Sequence, residues 1–193
     1  KGFAGVDFGS KKAGTTAIAY SVSGLIHIKQ SEKNEDADAF ILELVKELDL
    51  RTLFIDAPLS LPGVYINFDR SPGDYFYRHA DRELGAMSPM FIGGLTARAM
   101  RLVGILKRKG VKCYETYPSK KAEQLGLKKL AYKKDGLSNC VEKLEPAFSP
   151  LKLKKKPQNW HAFDSLIALL SAYDFVKGKG NKTGNPKEGL IYW

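Results

Sequence analysis

Gly5-Val6-Asp7-Phe8-Gly9 closes a small apolar segment, Phe3 to Phe8, on a carboxylate and a glycine. Two further segments follow at once: Thr15 to Val22 alternates β-branched and small residues, and Leu25 to Ile28 comes after Ser23-Gly24. The spacing predicts three strands joined by tight turns, and connections that short make neighbours antiparallel. Asp36 to Leu48 then carries Phe40, Ile41, Leu44, Val45 and Leu48 at helical spacing, and Thr52 to Ile55 is a short apolar strand ending in Asp56-Ala57-Pro58. A right-handed helical crossover of this kind returns the chain parallel to the strand it left. Asp56 is therefore expected beside Asp7, at the carboxyl ends of adjacent strands, where open α/β sheets bind ligands.

Beyond Asp56 the chain leaves the sheet. Residues 59–94 are rich in Pro, Gly and aromatics (Pro62-Gly63, Tyr65, Phe68, Pro72-Gly73, Tyr75, Phe76, Tyr77), which reads as a long excursion holding a short helix around Arg78 to Leu84. Loops of this length in compact domains are commonly binding loops or lids, so this is the expected substrate side. Leu95 to Lys109 has an amphipathic helical pattern closed by Gly110, and Val111 to Tyr117 is a strand finishing at Pro118. A lysine-rich helical stretch, Ser119 to Glu145, precedes a Lys-Pro-rich linker over Ser149 to Pro157. Trp160 to Val176 is a strong helix, followed by a polar Gly-Asn-Lys loop and a short Leu190 to Trp193 tail. With 193 residues, 44% of them hydrophobic and 27% charged, the chain is expected to form a single domain over residues 1–193.

Lys and Arg number 31 against 21 Asp and Glu, a net charge of +10 that favours polyanionic partners without fixing a fold. The excess gathers in Lys128-Lys129, Lys133-Lys134 and Leu151-Lys152-Leu153-Lys154-Lys155-Lys156; a solvated lysine surface explains such runs as well as nucleic-acid binding does. Cys113 and Cys140 form no disulfide framework and no C-x-x-C knuckle, which fits a reducing cytosol. The longest apolar stretch, Leu166 to Leu170, is far too short to span a bilayer. A cytoplasmic protein with no membrane partner is expected.

Four acids stand at element ends: Asp7, Asp56, Glu115 and Asp164. Asp7 before a turn also suits a turn former, Asp164 a first-turn helix acid, and Glu115, inside the aromatic strand Cys113-Tyr114-Glu115-Thr116-Tyr117, an exposed edge strand. Asp164, however, shares a helix face with bulky Trp160 and Ile167, and a carboxylate buried there needs a cation nearby. Taken together the four make a metal site: two Mg²⁺ or Mn²⁺ ions about 3.5–4 Å apart hold the attacking water and leaving oxygen of a phosphodiester, and three or four carboxylates neutralise their repulsion. On this reading all four acids are catalytic and metal-binding: Asp7 bridges two ions, Asp56 and Asp164 hold one each, and Glu115 completes the set or orients the water. Arg78 and Arg82, four apart, can clamp a phosphate, with Asp81 orienting one of them; a surface salt-bridge cluster is the alternative. Arg98 and Arg101 stand near a helix start that can also face the crevice, or are solvated helix arginines. His161, three before Asp164, can relay a proton or touch a phosphate, whereas His27 and His79 have no metal-ligand spacing.

In order and near these spacings, Gly5-Val6-Asp7-Phe8-Gly9, Phe54-Ile55-Asp56-Ala57-Pro58-Leu59-Ser60-Leu61-Pro62, Arg78-His79-Ala80-Asp81-Arg82-Glu83-Leu84, Tyr114-Glu115-Thr116-Tyr117-Pro118 and His161-Ala162-Phe163-Asp164-Ser165-Leu166-Ile167-Ala168 resemble the family known as domain of unknown function 429. The likeness runs from Gly5 to about Ala172. It implies a ribonuclease-H-like fold, an α/β domain with a five-stranded mixed sheet, its second strand antiparallel and helices on both faces. It also implies a metal-dependent nuclease acting on DNA or RNA. By the same likeness Asp7, Asp56, Glu115 and Asp164 map onto the metal-site acids, and Arg78, Asp81 and Arg82 onto an R-x-x-D-R signature.

Three other readings share this scaffold. Asp7-Phe8-Gly9-Ser10 with Thr15-Thr16 is similar to the phosphate-binding hairpin of actin-like ATP phosphotransferases, which need a second lobe to enclose the nucleotide. Gly5 to Gly14 is similar to the opening of branched-junction resolvases. A non-catalytic nucleic-acid-binding module of the same fold is the third. Neither a G-x-x-x-x-G-K-[ST] loop nor a G-x-G-x-x-G fingerprint occurs.

Overall fold

In the computed structural model the described residues are 2–66, 73–127, 133 and 135–193. The elements in chain order are β1 (Gly2–Asp7), β2 (Ala17–Val22), β3 (Leu25–Gln30), α1 (Ala37–Glu47), β4 (Leu50–Asp56), α2 (His79–Leu84), α3 (Gly93–Arg108), β5 (Lys112–Thr116), α4 (Pro118–Gln124), α5 (Gly136–Leu144), β6 (Lys152–Leu153), α6 (Trp160–Val176), β7 (Lys182–Asn185) and β8 (Gly189–Tyr192). The expected strands and helices up to β5 fall within a few residues of these bounds. Lys128, Lys129 and Lys134 of the lysine runs, and Phe68 and Pro72 of the excursion, lie outside the described residues.

One mixed sheet of eight strands, rather than the expected five, runs in the order β6-β3-β2-β1-β4-β5-β8-β7. β1 pairs antiparallel with β2 and parallel with β4, β4 is parallel to β5, and β5 is parallel to β8. The three strands missing from the sequence reading are short and marginal: β6 sits in the Lys-Pro linker, and β7 and β8 form an antiparallel hairpin from the polar loop and the tail. Their pairing is long-range, so no local pattern announces it. It has one consequence for the site: β5 is an inner strand with β4 on one side and β8 on the other, so Glu115 does not lie on an edge strand.

Strand alternation divides two cores. Ala4, Val6, Ile18, Leu53 and Ile55 pack with Ile41, Leu44 and Val45 of α1 and Leu102, Val103 and Leu106 of α3. On the other face Ala19 and Ile26 pack with Phe163, Leu166, Ile167 and Leu170 of α6 and with Val141 and Leu144 of α5. Helix α6 is apolar around most of its circumference, as expected for a helix covered on several sides. It begins at Asn159, whose side chain accepts from the Ala162 N–H at 2.9 Å.

Gly5 fixes how closely α6 lies on β1. A Cβ there would overlap backbone atoms of Ser165, Ala168 and Leu169, so helix and strand meet backbone to backbone. Backbone cannot rotate aside as a side chain can, so Gly5→Ala is expected to cost about 2–3 kcal/mol. Its urea midpoint checks this; a midpoint equal to wild type would mean that α6 is free to lift off the strand.

Candidate active site

Alternation places Asp7 on the α6 face, since Val6 and Phe8 belong to the opposite core. The same holds for Asp56, flanked by Ile55 and Ala57 of that core. Asp7 and Asp56 are direct ladder partners at the carboxyl ends of parallel β1 and β4. Helix α6 brings His161 and Asp164 over this edge: His161 Nδ1 lies 2.8 Å from Asp7 Oδ2. An ionised carboxylate only accepts, so Nδ1 carries the proton in this pair. The His161 side chain is 45% exposed, against 13% for Asp7, so one side of the imidazole meets solvent.

The carboxylates repel one another. Burial pushes Asp7 up to about 6, against the hydrogen bond and charge of His161. Asp56 is pushed well above the carboxylate range by burial and by the charges of Asp7, Asp164 and Glu115. Asp56 thus feels the charges of both Asp7 and Asp164 at one sheet edge. Their oxygens suit a hard cation, yet among the described residues no three His, Cys, Asp or Glu side chains are preassembled as a metal shell.

Glu115 departs from the expected role. In the β4–β5 register Glu115 pairs with Ile55, not Asp56, so it leaves the strand on the face opposite Asp7 and Asp56. Both its oxygens are engaged by Arg78: Nη1 donates to Oε2 at 2.7 Å and Nη2 to Oε1 at 2.6 Å. The Leu59 N–H donates to the same Oε2 at 2.8 Å. Burial raises the Glu115 pKa, opposed by Arg78 and by the Leu59 amide. Glu115 is therefore the partner of an arginine, not an open ligand.

Arg78 is not a phosphate clamp. It is the N-cap of α2, so its side chain turns off the helix surface and does not share a face with Arg82. Its guanidinium is 1% exposed. Nε and Nη2 donate to Asp81 at 3.0 and 2.7 Å, and Nη1 donates to Ser60 Oγ at 2.8 Å. With the two bonds to Glu115, all five guanidinium N–H groups are used. Burial alone would lower its pKa, but the bonds and charges of Glu115 and Asp81 raise it. Asp81 orients an arginine, as expected, but that arginine is Arg78. Arg82 is exposed, pairs with Asp74 at 2.6 Å and covers the Tyr77 ring at 3.7 Å.

Arg98 and Arg101 do not line the crevice either. Arg98 donates to Asp38 at 3.0 Å and to the Gly9 carbonyl at 2.6 Å, and its guanidinium lies 4.0 Å over the Phe8 ring. It is neither solvated nor free for substrate; it ties down the loop after Asp7. Arg101, 67% exposed, approaches Asp38 at 3.8 Å. In that same loop the Gly9 and Ser10 amides donate to Thr16 Oγ1 at 3.1 Å and Thr15 Oγ1 at 3.2 Å. The amides that a phosphate-binding hairpin would aim at a nucleotide are thus occupied by threonines.

A cleft of about 260 Å³ opens at this edge. Asp7, Asp56 and the Arg78–Glu115 pair line it on the sheet side, and Ala86, Met87 and Ile92 of the excursion form an apolar wall. The excursion therefore forms one wall of the cleft that holds the acids. Glu188, in the hairpin between β7 and β8, anchors it by accepting from the Gly63 and His79 amides at 2.8 and 2.9 Å. Nothing in the sequence singled out Glu188, because its partners lie more than a hundred residues away. No helix among the described residues is long and apolar enough to cross a membrane. Neither a family model nor a curated protein matches the chain.

Proposed function

We propose that this chain is a metal-dependent nuclease of ribonuclease-H-like fold, related to the domain-of-unknown-function-429 family, with Mg²⁺ or Mn²⁺ held by Asp7, Asp56 and Asp164. The observation that carries the proposal is the in-register pair Asp7 and Asp56 beneath the start of α6: Asp56 is repelled by Asp7 and Asp164, and among the described residues no Lys or Arg forms an ion pair with Asp7 or Asp56. The central strand order β3-β2-β1-β4-β5, with β2 antiparallel, supports the fold assignment. A bound divalent ion would supply charge neutralisation for the phosphodiester and a more acidic water. His161 fixes one oxygen of Asp7 and leaves the other for a ligand. Arg98 holds the Asp7 loop through the Gly9 carbonyl, and Glu115, paired with Arg78, holds the Leu59 amide next to the cleft-lining Pro58. The net charge of +10 supports nucleic acid as substrate.

The test is a thermal melt in EDTA and in millimolar Mn²⁺, with cleavage of single- and double-stranded DNA and RNA followed in the same buffers. An ion at about a hundred times its dissociation constant adds about 2.7 kcal/mol, which for a chain this long raises Tm by about 5–10 °C. Asp56→Asn should abolish that rise. No rise and no cleavage in millimolar Mn²⁺ would sink the reading.

A further inference from the structure

A second concavity, of about 560 Å³, lies on the other side of α6's first turn. It exists because β6 pairs with β3 only at Leu25 and Ile26. The last bond is Lys154 N–H to Ile26 O at 2.9 Å; past it the 154–159 linker swings away and leaves the outer edge of His27 to Gln30 facing a slot. Lys29 stands on the strand wall and Lys154, Lys155 and Lys156 on the linker wall, and no acidic side chain among the described residues lines the slot. Two of these lysines have carboxylate neighbours, Glu47 at 3.3 Å from Lys29 and Glu142 at 3.9 Å from Lys156, but both pairs are largely exposed and readily exchanged. Burial, together with Lys154 and Lys29, lowers the His27 pKa. The imidazole stacks on Tyr20 with ring centroids 5.4 Å apart and an 11° tilt, a flat π surface in the slot wall.

The floor leads to the acids. Asn159 Nδ2 donates to Gln30 Oε1 at 3.0 Å, and Gln30 Nε2 donates to the Gly14 carbonyl of the loop after Asp7 at 2.7 Å. Asn159 caps α6, and two residues on His161 meets Asp7. We infer that this slot seats one strand of a nucleic acid, its phosphates on Lys29 and Lys154 to Lys156 and a base against the His27–Tyr20 stack, leading it to the Asp7 cleft. This deepens, and rests on, the nuclease reading of that cleft. An unpaired strand edge also suits an extended peptide, but four lysines around a slot lined by no acid among the described residues select a polyanion, and stacking selects a base. A concavity of this size takes about one or two nucleotides and not a duplex.

The experiment uses the full chain in EDTA, with fluorescence anisotropy of a labelled oligothymidylate and of the equivalent duplex. Lys154→Glu/Lys155→Glu/Lys156→Glu is compared with Lys179→Glu/Lys182→Glu/Lys187→Glu, which makes the same charge change elsewhere; all six lysines are exposed, and melts confirm folding. The expected result is tighter binding of the single strand than of the duplex. The linker triple should weaken single-strand binding about tenfold or more and cut the slope of log K against log salt by about 2; the control triple should do neither. Equal losses in both triples, equal binding of duplex, or an acidic peptide outcompeting the oligonucleotide would overturn the inference. The two readings fail separately. Loss of binding in the linker triple without any Mn²⁺-dependent cleavage by wild type sinks the metal reading alone. Asp7-dependent cleavage with an unchanged KM in the linker triple sinks the slot alone.

Discussion

Arg78→Met is expected to remove about 3–5 kcal/mol of stability, the largest loss from any single side chain in the cleft. The guanidinium is fully buried and is bonded to Asp81, Glu115 and Ser60, and its own amide donates to Asp81 Oδ2 at 2.8 Å. Methionine fills much of the volume but leaves two carboxylates buried with no counter-charge, and the cost of an uncompensated buried charge exceeds that of a lost hydrogen bond. Arg78→Lys should recover only part, because one ammonium cannot serve two carboxylates and a hydroxyl arranged around a planar fork. For a chain of this length a loss of 3 kcal/mol lowers Tm by at least about 6 °C. Urea unfolding of Arg78→Met and of Arg78→Met/Glu115→Gln/Asp81→Asn tests the mechanism. The triple should be more stable than the single variant, since the orphaned charges are gone. A single variant as stable as wild type would show that the pair contributes nothing net.

Arg78 also shows where sequence reasoning reached and where it stopped. The alternating strands, the crossover and the in-register acids were legible because each is written in local periodicity: Ala4, Val6 and Phe8 against Phe3, Gly5 and Asp7, and the helical spacing from Phe40 to Leu48. Asp164 follows from the face it shares with Trp160 and Ile167, and His161 from its place three residues before Asp164, at the start of α6. The shared face expected for Arg78 and Arg82 fails because an i,i+4 spacing implies one only inside a helix, and Arg78 is the cap; Arg82 instead makes the surface ion pair that was the alternative. The sequence did hold a signal: an arginine three residues before an aspartate that is N3 of the helix. Glu115 carried another, since a carboxylate inside an aromatic strand needs a cation unless the strand is an edge. What made β5 look like an edge was the invisibility of β8, four residues whose partner is set by long-range register. Arg98 was illegible for a related reason: its partners, the Gly9 carbonyl and Asp38, come together only when α1 and α3 share a face of the sheet.

Asp7→Asn is expected to separate stability from activity. Burial moves the Asp7 pKa from 3.8 up to about 6, so the folded state binds its proton more tightly than the unfolded chain. The stabilisation of the protonated carboxyl is present in full below the unfolded value and is lost as pH rises through about 6. Above that pH the ionised wild type carries a penalty on the order of 2–3 kcal/mol, at about 1.4 kcal/mol per pKa unit, and Asp56, also raised, adds to it with the same sign. Asparagine keeps the shape and an acceptor for His161 but never ionises. In EDTA the two proteins should melt together near pH 3.5, and the variant should pull ahead between pH 4 and 6. With Mn²⁺ at pH 7.5 the order should reverse, because the ion stabilises only the chain that retains the carboxylate. Mn²⁺-dependent cleavage should fall by about 10³-fold, roughly 4 kcal/mol of transition-state stabilisation, consistent with losing a carboxylate that would hold the ion which neutralises developing charge. A variant that is less stable than wild type in EDTA at neutral pH would make Asp7 a structural partner of His161, and one that cuts at the wild-type rate would remove it from the reaction. The combination of a more stable protein and a dead one is the signature of a carboxylate held in an unfavourable charge state for the sake of a cation.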